Sequence, residues 1–169
     1  MSCDLVPADD GSEHHYQGDV FDLQHEKWDL MVAFPPCTHL ASSGAKHFAA
    51  KRADGRQQQG IDFFMDIVLL GEKIGKYAIE NPVGIMSTQW RKPDQKIQPW
   101  QFGDAAQKTT CLWLHNLPLL QPTEVVDKGE FYVSPSGKRL PKWYSDNKSS
   151  KVRSTTFQGI ANAMADQWG

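Results

Sequence analysis

The chain has 169 residues and a mass of 19.1 kDa, enough for one domain with a hydrophobic core and too short for two domains of ordinary size. Apolar residues make up 40% of it and charged residues 22%, a balance that excludes wholesale disorder and a fibrous repeat. No uncharged apolar run approaches the roughly 18 residues of a membrane span, and the N-terminus does not read as a signal peptide, so we predict a soluble protein without a membrane partner.

The first structural unit predicted along the chain is a strand, a long helix and a second strand. Residues 28–34 form a short apolar run that ends at Pro35-Pro36, which is typical of a buried strand. Residues 57–76 carry apolar side chains three and four positions apart, which predicts an amphipathic helix. Residues 77–79 then read as a strand that ends at Asn81-Pro82. This order predicts a parallel βαβ unit and an α/β fold.

The second half of the chain predicts a strand, an irregular insertion and a closing helix. Residues 110–114 read as a short strand, and prolines and glycines interrupt residues 118–151. Thr155 and Gln158 have the spacing of a capping box before an apolar stripe that runs to Trp168. We therefore predict an α/β core of residues 1–117 and 154–169, with residues 118–153 as an insertion.

Two reactive side chains directly follow predicted strands. In an open α/β sheet, ligands bind at the carboxyl ends of the strands. Cys37 follows Pro35-Pro36, and Glu80 precedes Asn81 at the end of the next strand. A thiolate and a carboxylate that share one cleft suit covalent attack combined with proton transfer. The alternatives are a buried, inert cysteine and a glutamate that only caps a helix or lies at the surface.

The cysteine and histidine patterns point away from disulfides and metals. Cys3, Cys37 and Cys111 are far apart and form no CxxC pair, which favours a reducing, cytoplasmic location over a disulfide framework or a cysteine-rich zinc site. The six histidines form no recognised ligand motif. We therefore predict that the protein has no catalytic metal.

Residues 128–153 are basic although the whole chain has a net charge of −2. They hold seven lysines and arginines against two acidic residues, together with four aromatic residues. Such a segment suits a phosphate backbone and stacked bases; the alternative is a solvated loop. The predicted nucleic-acid contacts are Lys138, Arg139, Lys142, Trp143, Lys148 and Arg153.

The two strand-end motifs resemble the core of the cytosine C5-specific DNA methyltransferases. In that family a proline-cysteine loop supplies the nucleophile that attacks C6 of a flipped cytosine, and a Glu-Asn-Val loop supplies the glutamate that engages N3. The resemblance implies these roles for Cys37 and Glu80, with Asn81 orienting the loop. It extends to Phe102-Gly103-Asp104 with Gln107-Lys108-Thr109, which implies that Lys108 is a catalytic position.

The resemblance also implies a fold, a cofactor and a partner. The fold would be a trimmed, three-layer class I (Rossmann-like) methyltransferase core, similar to small methylase-like proteins of phages and prophages. The cofactor would be S-adenosylmethionine, with Asp4, Asp19, Pro35 and Asn162 around it. The partner would be DNA that presents a flipped or single-stranded cytosine. The insertion is small for a sequence-reading domain, so we expect a weak or short sequence preference.

One departure from the family defines the alternatives. The family's adenosylmethionine site begins with a strand and a glycine-rich loop, whereas this chain opens at the equivalent of the second strand. A missing upstream piece, self-association or a second subunit would supply the strand. Otherwise the chain is a catalytically inactive, methyltransferase-like protein that binds or sequesters a nucleotide or a host partner. Amino-group methyltransferases are a further alternative, but Phe34 and Cys37 fit neither end of their catalytic motif.

Overall fold

The computed structural model describes residues 1–135, 137–147 and 149–169, and for residues 144, 150 and 151 the backbone only. The strands are β1 (Ser2–Asp4), β2 (His15–Gln17), β3 (Met31–Ala33), β4 (Tyr77–Pro82), β5 (Gln95–Ile97), β6 (Thr110–His115), β7 (Phe131–Val133) and β8 (Arg139–Pro141). The helices are α1 (Phe48–Ala53), α2 (Arg56–Ile74), α3 (Met86–Gln89), α4 (Lys142–Asp146), α5 (Ser150–Ser154) and α6 (Gln158–Trp168). Three short 3-10 turns cover Val20–Leu23, Ser42–His47 and Pro99–Gln101. The protein is thus a mixed α/β fold, which confirms the predicted class.

A four-stranded sheet in the order β3-β4-β6-β5 forms the centre of the molecule. β3 runs parallel to β4, and β6 runs antiparallel to both of its neighbours. The strand, helix and parallel strand predicted from the sequence are therefore confirmed as β3, α2 and β4. Because β3 and β4 are parallel, their carboxyl ends lie at the same edge of the sheet.

The first predicted strand is longer than the observed one. β3 covers only Met31–Ala33 of the apolar run at 28–34. The indole of Trp28 donates a hydrogen bond to the carbonyl of Leu23, outside the sheet. At the other end Phe34 is 47% exposed, and it precedes a proline that has no N–H to pair. The ends of the apolar run therefore pack locally and do not extend the strand.

α2 covers one face of the sheet. Its apolar side chains Phe64, Ile67 and Val68 are buried in one cluster with Ile79 and Trp113 of β4 and β6. The helix ends at Gly75, whose φ of 84° is in the left-handed region that favours glycine. The chain then turns directly into β4.

α6 covers the opposite face of the sheet. Ile160 and Met164 pack in a second cluster with Ala78, Leu112 and Leu114. The capping-box prediction is wrong: Phe157 occupies the N-cap position with extended backbone, and no side chain caps the helix. Thr155 lies before the helix, where its carbonyl accepts a hydrogen bond from Lys108.

The first two strands form a sheet of their own. β1 and β2 pair in parallel over three residues each. Among the described residues, no ladder joins this pair to the four-stranded sheet. The N-terminal segment therefore depends on loop and side-chain packing for its position.

The predicted insertion is partly docked on the core and partly extended from it. Leu120 is fully buried in the α6 cluster, and the N–H of Val126 donates to the carbonyl of Trp100 at 2.9 Å. The antiparallel hairpin β7-β8 follows, and then the short helices α4 and α5. Within the described ranges, no helix combines the length and apolar character needed to cross a membrane.

Candidate active site

Cys37 begins a tight turn directly after β3. Its carbonyl accepts hydrogen bonds from the N–H groups of Leu40 at 3.0 Å and Ala41 at 2.9 Å. Cys37 is partly exposed, while Leu40 is fully buried and anchors the turn. The thiol therefore lies on a fixed loop with access to solvent.

The loop after β4 is tied to the Cys37 turn. Both the N–H and the hydroxyl of Ser42 donate to the carbonyl of Val83, at 2.9 and 2.8 Å. The N–H of Ile85 donates to the carbonyl of Leu40 at 3.0 Å. A Cβ at Gly84 would overlap the Leu40 carbonyl, so this close approach requires glycine. The two strand-end loops form one unit.

Asn81 fixes the two motifs to each other. Its side-chain amide donates a hydrogen bond to the carbonyl of Pro35 at 2.8 Å. Asn81 is 1% exposed, and Pro35 is also buried. The structure thus places Asn81 and Pro35 between the two loops, and this hydrogen bond joins the loops to each other.

Cys37, Glu80 and Lys108 form one electrostatic cluster. Burial raises the pKa of the Cys37 thiol, and the nearby Glu80 charge raises it further while Lys108 opposes the rise. Burial raises the pKa of Glu80 to about 7, against the opposing effects of Lys108 and a hydrogen bond from Thr110. Burial lowers the pKa of Lys108, which the charges of Glu80 and Cys37 partly restore. The structure thus brings together Cys37, Glu80 and Lys108, which are three of the four predicted catalytic residues. The fourth, Asn81, joins the loops that follow β3 and β4.

Lys108 connects this cluster to the start of α6. Its ammonium donates to the carbonyl of Thr155 at 3.3 Å and lies 5.8 Å from the centre of the Phe157 ring. Lys108 is 9% exposed. Its charge is therefore held below the surface, where it is screened less than in water.

The arrangement suits a nucleophile assisted by an acid. A carboxyl group with a pKa of about 7 exchanges a proton readily near neutral pH, as a general acid or base must. The thiol with its raised pKa needs a neighbouring base or cation to reach its nucleophilic thiolate form. Glu80 and Lys108 supply both.

Sequence reasoning missed two supporting residues. The hydroxyl of Thr110 donates to the carbonyl of Lys108 at 3.3 Å. Thr110 also lowers the pKa of Glu80, and it lies near that carboxyl because β6 pairs with β4. Lys51 is 8% exposed, and its ammonium donates to the carbonyl of Thr38 at 2.6 Å. Lys51 lies on α1, and no sequence motif marks it as a support for the Cys37 loop.

The predicted cofactor residues are only partly brought together. Asp4 and Asp19 both lie near Cys3. Burial is the main cause that raises the pKa of the Cys3 thiol, and the charges of Asp4 and Asp19 raise it further. Each also accepts a backbone hydrogen bond within its own turn, from Val6 and Phe21 respectively. Both carboxylates belong to the β1-β2 segment, which no ladder among the described residues joins to the central sheet.

Asn162, the other predicted cofactor residue, lies on the exposed side of α6, and its side chain accepts a hydrogen bond from Gln158 at 2.7 Å. A cavity of about 260 Å³ lies between the Val20–Leu23 turn and α2, lined by Phe21, Gln24, Asp66, Leu69, Leu70 and Lys73. A second cavity, of about 200 Å³, lies between residues 105–107 and the insertion. Neither is lined by Asp4, Asp19, Pro35 or Asn162.

The predicted nucleic-acid contacts lie in and around the hairpin. Arg139 lies 4.1 Å from the centre of the Phe131 ring, and Lys142 forms an ion pair with Glu130 at 2.5 Å. Trp143 contacts the Phe157 ring, with centroids 5.4 Å apart. The insertion thus reaches the start of α6 beside Lys108.

The remaining predicted contacts are more peripheral. Lys138 is exposed in the hairpin turn. Arg153 is exposed, and its guanidinium donates to the carbonyl of Asn147. Lys148 lies outside the described residues.

Comparisons with known proteins leave the family open. No protein-family model matches the chain, and neither a curated protein nor a solved structure does. In the part of the chain that is described, no group of three or more His, Cys, Asp or Glu side chains is arranged to hold a metal ion. The case for a function therefore depends on the cluster around Glu80.

Proposed function

We propose that this protein attacks cytosine in DNA through Cys37, in the manner of a cytosine C5-methyltransferase. The observation that supports this most strongly is the placement of Cys37 and Glu80 at the ends of two parallel strands, with Lys108 electrostatically coupled to both. Cytosine C5 becomes nucleophilic only when a thiolate has added at C6 and N3 has gained a proton or a hydrogen bond. In the cluster, Cys37 can supply the thiolate and Glu80 can supply the proton or hydrogen bond to N3.

The proposed addition uses one proton and one sulfur. The Cys37 thiol loses its proton to the Glu80 carboxylate, and its sulfur forms a bond to C6. Electrons of the C5=C6 bond shift through the ring, and N3 takes the proton from Glu80. The product is a neutral enamine with nucleophilic carbon at C5. Lys108 stabilises the thiolate and the carboxylate while either is charged.

We further propose that the fold is a trimmed class I, Rossmann-like methyltransferase core. Helices on both faces of a sheet with a parallel β3-β4 pair support this proposal. A missing central strand would explain why β1-β2 forms a separate sheet. A second subunit would then supply the missing strand and complete an adenosylmethionine site.

The addition step has a test that needs no methyl donor. The enamine can take deuterium at C5 from heavy water and then release the original hydrogen and the thiolate. We expect NMR to show exchange of the cytosine C5 hydrogen in short single-stranded DNA, and Cys37→Ser to abolish it. Cys3→Ser, which changes another partly exposed free cysteine, should exchange like the wild type. No exchange by the wild-type protein would overturn the proposal.

A binding protein without catalysis is the second candidate. The placement of Asp4 and Asp19 near Cys3, in a segment outside the central sheet, favours it. Under the enzymatic proposal we expect calorimetry to detect no tight adenosylmethionine binding by the isolated chain. Tight binding at unit stoichiometry that is unaffected by Cys37→Ser, together with absent hydrogen exchange, would favour sequestration.

A further inference from the structure

The cavity between residues 105–107 and the insertion adjoins the proposed active site. Trp143 lines this cavity and also contacts the ring of Phe157. The same ring lies 5.8 Å from the Lys108 ammonium. One aromatic side chain therefore separates the Trp143 wall of the cavity from the charged cluster.

Another part of the cavity lining depends on a glycine. Gly129 has a φ of 81°, and a Cβ there would overlap the carbonyl of Ala105. The carboxylate of Asp127 accepts a hydrogen bond from the N–H of Gly129 at 2.8 Å. The insertion is thus held against residues 105–106, and the cavity is a built feature of this junction.

The size and chemistry of the cavity indicate which kind of ligand it can bind. Its volume of about 200 Å³ is below the roughly 300–1,000 Å³ of pockets for drug-sized ligands, so it suits a single ring system. Its lining carries two ammonium groups, Lys128 and Lys142, and two carboxylates, Glu130 and Asp146. This balance favours a neutral group over a free phosphate. The Trp143 indole offers a stacking surface, and the amide of Gln107 offers a donor and an acceptor for a ring edge.

We propose that this cavity binds a nucleobase that flanks the target cytosine, stacked on Trp143, as a second, non-covalent subsite for single-stranded DNA. The inference rests on the proposed function, since it takes the cytosine at Cys37 as the neighbouring base. It assigns a short sequence context to the insertion: one base beside the target is bound, and the remaining backbone is held without sequence readout.

The test is a coupling measurement by fluorescence anisotropy in the Cys37→Ser background, where no covalent bond contributes. The probes are short labelled single strands with one cytosine, either complete or with an abasic site at one flanking position at a time. We expect one abasic position to weaken binding about tenfold, because stacking on an aromatic side chain is lost. Trp143→Ala should remove this difference, and Trp143→Phe should keep part of it. Tyr132→Ala, which changes an exposed aromatic residue of the hairpin that does not line the cavity, should leave it intact.

Several results would contradict the proposed subsite. Equal weakening of all probes by Trp143→Ala, no effect of any abasic position, or no binding of any probe would overturn the subsite. If Trp143→Ala unfolds by circular dichroism, Trp143→Phe and Gln107→Ala decide the question, because at least one must reduce the difference between complete and abasic probes. Hydrogen exchange by the wild type without this coupling overturns the subsite alone. Coupling without exchange overturns the covalent chemistry alone.

Discussion

Glu80 is the residue on which the proton transfer depends. Burial is the main cause that raises its pKa from 4.5 to about 7. The carboxyl can therefore be protonated near neutral pH, when an ordinary surface glutamate is fully charged. Below pH 7 it is protonated in the folded protein and cannot accept the proton of the Cys37 thiol, so the proposed addition becomes less effective. Hydrogen exchange into cytosine should accordingly decline as the pH falls below 7.

The same carboxyl makes folding stability depend on pH. Because its pKa is higher in the folded protein than in the unfolded chain, its stabilising contribution is present below 4.5 and is lost as the pH rises through about 7. Between pH 5 and pH 8, we expect the free energy of unfolding of the wild type to fall by about 2 kcal/mol more than that of Glu80→Gln, because the glutamine side chain stays neutral. Urea unfolding at both pH values measures this difference.

The control for this measurement is Glu26→Gln, since Glu26 is exposed. It should follow the wild type at both pH values. Equal pH dependence of the wild type and Glu80→Gln would show that the carboxyl is not held in a costly environment.

The sequence predicted the two key side chains but not their surroundings. Cys37 and Glu80 follow strands whose apolar pattern is local and readable. The raised pKa of Glu80 depends instead on its burial in the folded chain, and the two residues that oppose the rise, Lys108 and Thr110, are distant from it in sequence. Lys51, whose ammonium supports the Cys37 turn from α1, could not be found in the sequence for the same reason.

At the scale of elements, the two strand-end loops act together because their backbones touch. Gly84 is the point of closest approach, and a side chain there would overlap Leu40. We expect Gly84→Ala to separate the loops, to lower the melting temperature and to reduce hydrogen exchange into cytosine at least about tenfold. Thermal unfolding and the NMR exchange assay measure the two effects.

Gly44→Ala is a matched control in the neighbouring turn. A Cβ at Gly44 would meet its nearest atom, the Lys51 ammonium nitrogen, at 3.5 Å, an ordinary contact. This variant should therefore behave like the wild type. If Gly84→Ala also retains wild-type stability and exchange, the loops do not depend on their close approach.

The elements themselves were predicted better than their ends. The apolar spacing of residues 57–76 identified α2, and Gly75 marked its end. The start of α6 was misassigned because Phe157, which packs against Trp143, takes the N-cap position in place of a threonine. Tertiary packing determined that boundary, and a local capping pattern could not reveal it.

At the scale of the whole molecule, the two sheets should differ in stability. The β1-β2 pair has three residues in each strand, and such a pair gains little stability by itself. β4 and β6 are paired over six residues between buried clusters. We expect backbone amides of β1 and β2 to exchange with heavy water at least about tenfold faster than those of β4 and β6.

Hydrogen-exchange mass spectrometry of the native protein measures this difference, and the edge strand β5 provides an intermediate reference within the same sheet. Equal protection of both sheets would mean that packing unites them more strongly than their strand pairing indicates.

The burial of Leu120 determines how the hairpin can be removed in a shortened chain. Gln95 holds the Leu120 backbone through two hydrogen bonds of 2.8 Å, one to its N–H and one to its carbonyl. Excision from residue 118 onward would take this leucine out of the hydrophobic cluster and leave a hole beneath α6. A deletion intended to probe only the hairpin must therefore retain the chain through Val126.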